Sequence, residues 1–241
     1  MDYKLDFEES FVNTSLGRIF LRHHKGTNNL LLLHGLGATT RSWKRFIENM
    51  PEQIGIFAID LLGHGKSDKP DITYTLDKHL ATIDELIKSI GINNFSIMGN
   101  SYGGIVALKY AGVSDRIINL IIEDIPVFED EPKIDLLMLK KLMEFDNSEH
   151  VMRSTLTGEY WLNTKDIKSA LVNLKARTLI LWGSKDHLVN VKNAIVLNKM
   201  IEGSVLKVFD GGHMPHYSNA KETADAVVEF ISMDNVLSAK G

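Results

Sequence analysis

Short runs of continuous apolar residues alternate with amphipathic stretches along most of this chain. Leu30-Leu31-Leu32-Leu33 is apolar at every position and is stopped by His34-Gly35-Leu36-Gly37. A run this short, without polar alternation, predicts a strand buried on both faces, as in parallel sheets. The signature recurs at Ile54-Gly55-Ile56-Phe57-Ala58-Ile59-Asp60, Phe95-Ser96-Ile97-Met98, Asn119-Leu120-Ile121-Ile122-Glu123-Asp124, Thr178-Leu179-Ile180-Leu181-Trp182-Gly183 and Ser204-Val205-Leu206-Lys207-Val208-Phe209. Near the start, residues 5–12 and 17–23 read as a hairpin around Asn13-Thr14-Ser15-Leu16-Gly17. The intervening segments carry helical spacing. Residues 41–50 predict a short helix. Thr75 is placed to cap a longer one, whose Leu76, Leu80, Ile83, Ile87 and Ile90 step by four, three, four and three before Gly91 ends it. Helices are further predicted over residues 105–111 and 191–201, and Ala220, Ala224, Val227, Val228 and Ile231 form one apolar face.

The alternation breaks once. Residues 127–176 hold three helical patterns, about 132–145, 148–157 and 164–174, and no convincing strand. The first is apolar over a wide arc, through Ile134, Leu137, Met138, Leu142 and Phe145, so it can face both a core and a pocket. This organisation predicts a mostly parallel sheet with helices on both faces, built from residues 1–126 and 177–241, with 127–176 as a small helical cap. In such a sheet, function gathers at the carboxyl ends of the strands.

Composition narrows the function classes. With 44% hydrophobic and 24% charged residues, the chain reads as an ordinary soluble globular domain. Its 27 basic and 31 acidic residues give a net charge of −4 and no basic surface for nucleic acid. The absence of cysteine excludes disulfides, thiolate metal sites and a Cys nucleophile. No apolar leader core follows Met1, and no run reaches the ~18–20 residues of a membrane helix, so a cytoplasmic location is expected.

The chemistry starts at Gly99-Asn100-Ser101-Tyr102-Gly103-Gly104. A strand runs into it and a helix runs out of it, which is the context that gives Gly-x-Ser-x-Gly its meaning as a nucleophile elbow. Such a turn is tight enough that only small residues fit two positions either side of the serine, and it raises the hydroxyl above the sheet edge. A serine hydroxyl is a poor nucleophile at neutral pH and needs a base, held by a third group. Asp186 follows the strand at 178–183, and His213, after Gly211-Gly212, follows the strand at 204–209. Ser101, Asp186 and His213 therefore stand in serine–acid–histidine order, each just past its own strand. Asp124 is a rival acid because it too ends a strand, and His216 is a rival base. His187 reads as solvent-facing.

Two backbone N–H groups are expected to stabilise an oxyanion: Tyr102, at the start of the helix, and Leu36, in the loop after the first parallel strand. Trp43, Trp161, Leu188 and Met214 are candidates to line a substrate pocket, with Tyr102 also near. His64 reads as loop packing. No His-x₃-His pair stands on a helix, and no loop has the P-loop pattern, since Asp60 stands where Gly65-Lys66-Ser67 would need its first glycine, so neither a metal nor a nucleotide cofactor is expected.

His34-Gly35-Leu36-Gly37, Asp60-Leu61-Leu62-Gly63-His64-Gly65-Lys66-Ser67, the elbow, Leu181-Trp182-Gly183-Ser184-Lys185-Asp186 and Gly212-His213 together resemble the α/β-hydrolase superfamily, closest to its small carboxylesterase-like branch with a helical cap. The likeness spans nearly the whole chain. It implies the α/β-hydrolase fold, a triad of Ser101, Asp186 and His213, and an oxyanion hole at Leu36 and Tyr102. Arg177 stands where relatives commonly carry a proline, and the cap is short. The expected activity is hydrolysis of carboxylic esters of short to medium acyl chain through an acyl-serine, with a small-molecule ester as partner, no nucleic acid and no membrane. A homodimer is left open. The alternatives are the same triad acting on carbon–carbon bonds, lactones or thioesters, and a slow-turnover ligand receptor.

Overall fold

The structure, a computed structural model, describes residues 6–127, 161, 162 and 164–238. Eight strands form one sheet: β1 (Glu8–Thr14), β2 (Gly17–His24), β3 (Asn28–Leu33), β4 (Ile54–Ile59), β5 (Phe95–Asn100), β6 (Ile117–Glu123), β7 (Arg177–Gly183) and β8 (Val205–Phe209). Their spatial order is β1-β2-β4-β3-β5-β6-β7-β8. The hairpin β1–β2 is antiparallel, β2 meets β4 antiparallel, and β4 through β8 run parallel. The hairpin turn is tighter than expected, with Thr14 paired to Gly17, and Gly17 takes a φ of 138° that a side chain would resist.

The continuous apolar runs are explained by burial on both sides. Leu31 and Leu33 of β3 enter one core with Phe57, Ile59 and Ile97, while Leu30 and Leu32 enter a second with Ile56, Ala58 and Met98. Successive side chains of a strand point to opposite faces, so an alternating polar pattern has no place here. Helices α2 (Leu76–Ile90) and α3 (Tyr102–Ala111) cover the first core. The Thr75 side chain accepts the Lys78 N–H at 3.4 Å, and Gly91 closes α2 in the left-handed region at φ 69°. The second core is covered by α1 (Lys44–Ile47) and α7 (Ala220–Ser238).

Some expectations shift. The helix over 41–50 is a 3₁₀ turn, Thr40–Trp43, leading into the single turn of α1. Of the three helical patterns in 127–176, those at 132–145 and 148–157 lie outside the described residues. The third is α4 (Thr164–Leu171), whose Ile167 and Ala170 join the first core. An isolated parallel bridge pairs Val127 with Leu162. After α5 (Lys192–Met200), a four-residue helix, α6 (Pro215–Ser218), starts on a proline and was not foreseen. Among the described residues, no helix is long and apolar enough to cross a membrane.

Candidate active site

The elbow between β5 and α3 has the compression its sequence implies. Ser101 sits at φ 52°, ψ −119°, a strained conformation for a residue with a side chain. A Cβ on Gly99 would lie 2.2 Å from the Gly103 carbonyl oxygen, and one on Gly103 would lie 2.3 Å from that of Leu33. Neither position accepts alanine without moving backbone. The Ser101 N–H donates to the Glu123 carbonyl at 2.8 Å, which fastens the serine to the end of β6.

The loops after β7 and β8 meet. Asp186 Oδ2 and His213 Nδ1 are 2.7 Å apart, while Asp186 Oδ1 accepts N–H groups from Leu188 (2.7 Å) and Val189 (3.0 Å). Burial alone would raise the Asp186 carboxyl. The hydrogen bond and charge of His213, with those two N–H groups, outweigh it and hold the carboxyl below its ordinary value. His213 is tied to the elbow through its own backbone, since Asn100 Nδ2 donates to the His213 carbonyl at 3.0 Å. Asp186 and His213 are thus paired, and the residue before Ser101 holds the turn that carries His213.

The rivals have other hydrogen-bond partners in the same framework. Asp124 takes φ 47°, and its Oδ1 accepts the Gly183 N–H at 3.0 Å rather than binding an imidazole. Burial, then the neighbouring Glu123, pushes its carboxyl up to about 10. His216 pairs with Glu123 and not with Asp186. Its backbone N–H donates to Glu123 Oε1 at 2.7 Å, its Nδ1 bonds Glu123 Oε2, and its ring packs on Trp43 with centroids 4.1 Å apart. His187 is exposed, as expected.

The loop expected to supply Leu36 is held by His34. His34 Nε2 accepts the Leu61 N–H at 3.0 Å, so Nδ1 carries the proton and donates to the Gly35 carbonyl at 2.8 Å. Burial first, then His79, lowers His34 to about 4, consistent with a neutral ring. A Cβ on Gly35 would lie 3.4 Å from the Ser101 Cβ, so this loop runs directly against the serine. Tyr102 begins α3 and is buried. His64 is a packing residue: its ring lies 5.2 Å from that of His34, and burial lowers it to about 3.

The pocket candidates divide. Leu188 and Met214 are exposed beside the acid and the base, and Trp161 is partly buried. Trp43 requires a correction. It is fully buried in the second core between Phe46 and His216, so its indole packs inside and offers no wall to a substrate. Among the described residues, one group of side chains has metal-ligand types in proximity: Asp124, Asp186 and His213, with one atom of each within 4.8 Å of the others. There the His213–Asp186 hydrogen bond already occupies the imidazole Nδ1. Sequence reasoning missed Asn100 and the Glu123–His216 pair. The position of Asn100 inside the elbow was the available signal for the first, whereas the second joins residues 93 apart and had none.

Comparison with known proteins agrees with this fold. The profile of the Alpha/beta hydrolase family matches residues 30–226. The 2-hydroxy-6-oxo-6-(2'-aminophenyl)hexa-2,4-dienoic acid hydrolase of Metapseudomonas resinovorans is 24% identical, over 94% of this chain and 91% of its own. Lipase 1 of Psychrobacter immobilis is 24% identical, over 85% of this chain and 77% of its own. The fold is shared with a solved esterase from Exiguobacterium antarcticum at a TM-score of 0.81 and 20% identity, covering 93% of this chain and 100% of that one.

Proposed function

The chain belongs to the alpha/beta hydrolase family, and from that premise we propose that it hydrolyses carboxylic esters of short to medium acyl chain through an acyl-serine. Ser101 Oγ attacks the ester carbonyl as His213 Nε2 takes its proton. The negative charge on the carbonyl oxygen is met by the N–H groups of Leu36 and Tyr102, with the start of α3 favouring charge at that point. His213 then protonates the departing alcohol, leaving the acyl-serine. Water repeats the sequence, giving its proton to His213, and the acid leaves as Ser101 is restored. Asp186 keeps the His213 proton on Nδ1 and stabilises the imidazolium. No cofactor takes part.

The observation that supports this reading most is the 2.7 Å bond from His213 to Asp186 in a loop anchored beside Ser101 by Asn100. Hydrolysis of p-nitrophenyl esters from acetate to palmitate tests it. The expected result is turnover that falls steeply with chain length and is lost in Ser101→Ala. Retained turnover in a folded Ser101→Ala protein contradicts the role given to that serine. A second reading keeps the triad and changes the bond. The relative from Metapseudomonas resinovorans aligns over 94% of this chain, and its name is that of a dienoic acid hydrolase. Cleavage of such a dienoic acid at a kcat/KM above that of every ester tried decides for it.

A further inference from the structure

One polar atom beside the acid–base pair lacks a partner. Asp124 is fully buried, and its backbone is held in the left-handed region at φ 47°. Its Oδ1 accepts the Gly183 N–H, while its Oδ2 has no hydrogen-bond partner among the described residues. Asp186 has the complementary deficit. A carboxylate offers about four lone-pair positions. The two on Oδ1 are met by the Leu188 and Val189 N–H groups, and one on Oδ2 is met by His213. One acceptor position remains on Asp186. One oxygen of each aspartate and a ring nitrogen of His213 lie within 4.8 Å of one another.

We propose that Asp124 is a neutral carboxylic acid whose Oδ2–H donates the fourth hydrogen bond to Asp186, making it a positioning residue for the acid that holds His213. The inference rests on the triad reading of Ser101, Asp186 and His213. Two ionised carboxylates at this separation, away from water, repel, so one of them keeps its proton. Asp186 has three hydrogen-bond donors for its charge and Asp124 has one, so the proton belongs to Asp124. Burial, Glu123 and Asp186 all push Asp124 upward, against the Gly183 N–H. The titratable groups facing it are Glu123 at the end of β6, Asp186 after β7 and His213 after β8. As a donor, Asp124 fixes the orientation of Asp186 without placing a second negative charge beside the imidazole.

Substitutions separate a neutral donor from a spare anionic acid. Asp124→Asn keeps an acceptor for Gly183 and an N–H donor for Asp186. Asp124→Ala removes both, and Asp124→Gly does so while relieving the positive φ, which covers the case of a misfolded alanine variant. The measurement is the rate at which a fluorophosphonate probe phosphonylates Ser101, from pH 7 to 10.5, with Ser101→Ala as blank. At pH 7.5 the Asn variant is expected within about threefold of wild type, and the Ala and Gly variants lower by about 10- to 100-fold. Near pH 10 wild type loses rate as Asp124 ionises, and the Asn variant shows no such loss. An Asn variant as slow as Ala overturns the proposal, as do folded Ala and Gly variants that label at the wild-type rate. Wild type unlabelled at Ser101 overturns the triad reading itself, which distinguishes that failure from this one.

Discussion

Two histidine–carboxylate pairs have their histidines three residues apart after β8, His213 in the turn and His216 in α6, and their surroundings are opposite. His213 with Asp186 keeps 19% of the imidazole side chain exposed, whereas His216 with Glu123 keeps 1%. In the first pair Nδ1 is held and part of the ring stays open to solvent. In the second the carboxylate grips both the ring and the backbone N–H of His216, and Trp43 covers the ring. On the proposed function, the same chemical couple is a proton carrier in the first setting and a clasp in the second. The clasp also serves the carrier, because the Glu123 carbonyl accepts the Ser101 N–H at 2.8 Å. One residue thus anchors both His216 and the backbone of Ser101.

Substitutions in each pair sharpen this contrast. Replacing His213 by Ala is expected to lower turnover on a p-nitrophenyl ester by about four to six orders of magnitude, with a melting temperature close to wild type. Asp186→Asn follows at about four orders, because the wrong imidazole tautomer is then favoured. Equal activity of wild type and either variant contradicts the assignment. His216→Ala reverses the pattern. It strands Glu123 in the core and costs about 3–5 kcal/mol of stability, read as a lower urea midpoint, while activity per folded molecule stays within about tenfold. If His216→Ala unfolds no more easily than wild type, the clasp is not one.

Acid extends the contrast to three further histidines that lie in neither pair. Burial is the first cause that lowers His34 to about 4, and His64 and His79 to about 3. Their folded values lie below the unfolded value near 6.5, so the unfolded chain binds more protons below that pH. The stability they contribute is complete above 6.5 and drains as pH falls toward 4. Each histidine accounts for roughly 1–2 kcal/mol between pH 7 and pH 5, checked by melting temperature across that range. Replacing His79, whose ring nitrogens have no hydrogen-bond partner among the described residues, by Phe should flatten that dependence. The smallest expected effect is Thr75→Ala, about 1 kcal/mol for the lost cap of α2, with activity unchanged.

The parallel strands and the elbow were legible because their constraints are local. A strand buried on both faces must be apolar throughout, and a turn in which Gly99 faces the Gly103 carbonyl oxygen must be small at both positions. The order of Ser101, Asp186 and His213 was readable because each follows its own strand in a parallel sheet. Trp43 was misplaced because an indole suits a pocket and a core equally, and only the packing of His216 against it decides. The Glu123–His216 pair was invisible, since no short-range pattern marks a contact between the end of β6 and the turn after β8. The short helix α6 was missed for a related reason. One turn carries too few residues to show a period, although Pro215 at its first position was a usable sign.

The most direct measurement is mass mapping of the adduct formed when the protein meets a fluorophosphonate probe, in wild type and in His213→Ala. One phosphonyl group is expected, on Ser101, formed rapidly in wild type and at least about a thousandfold more slowly without His213. An adduct on another residue, no adduct, or labelling of Ser101 that ignores the loss of His213 contradicts it.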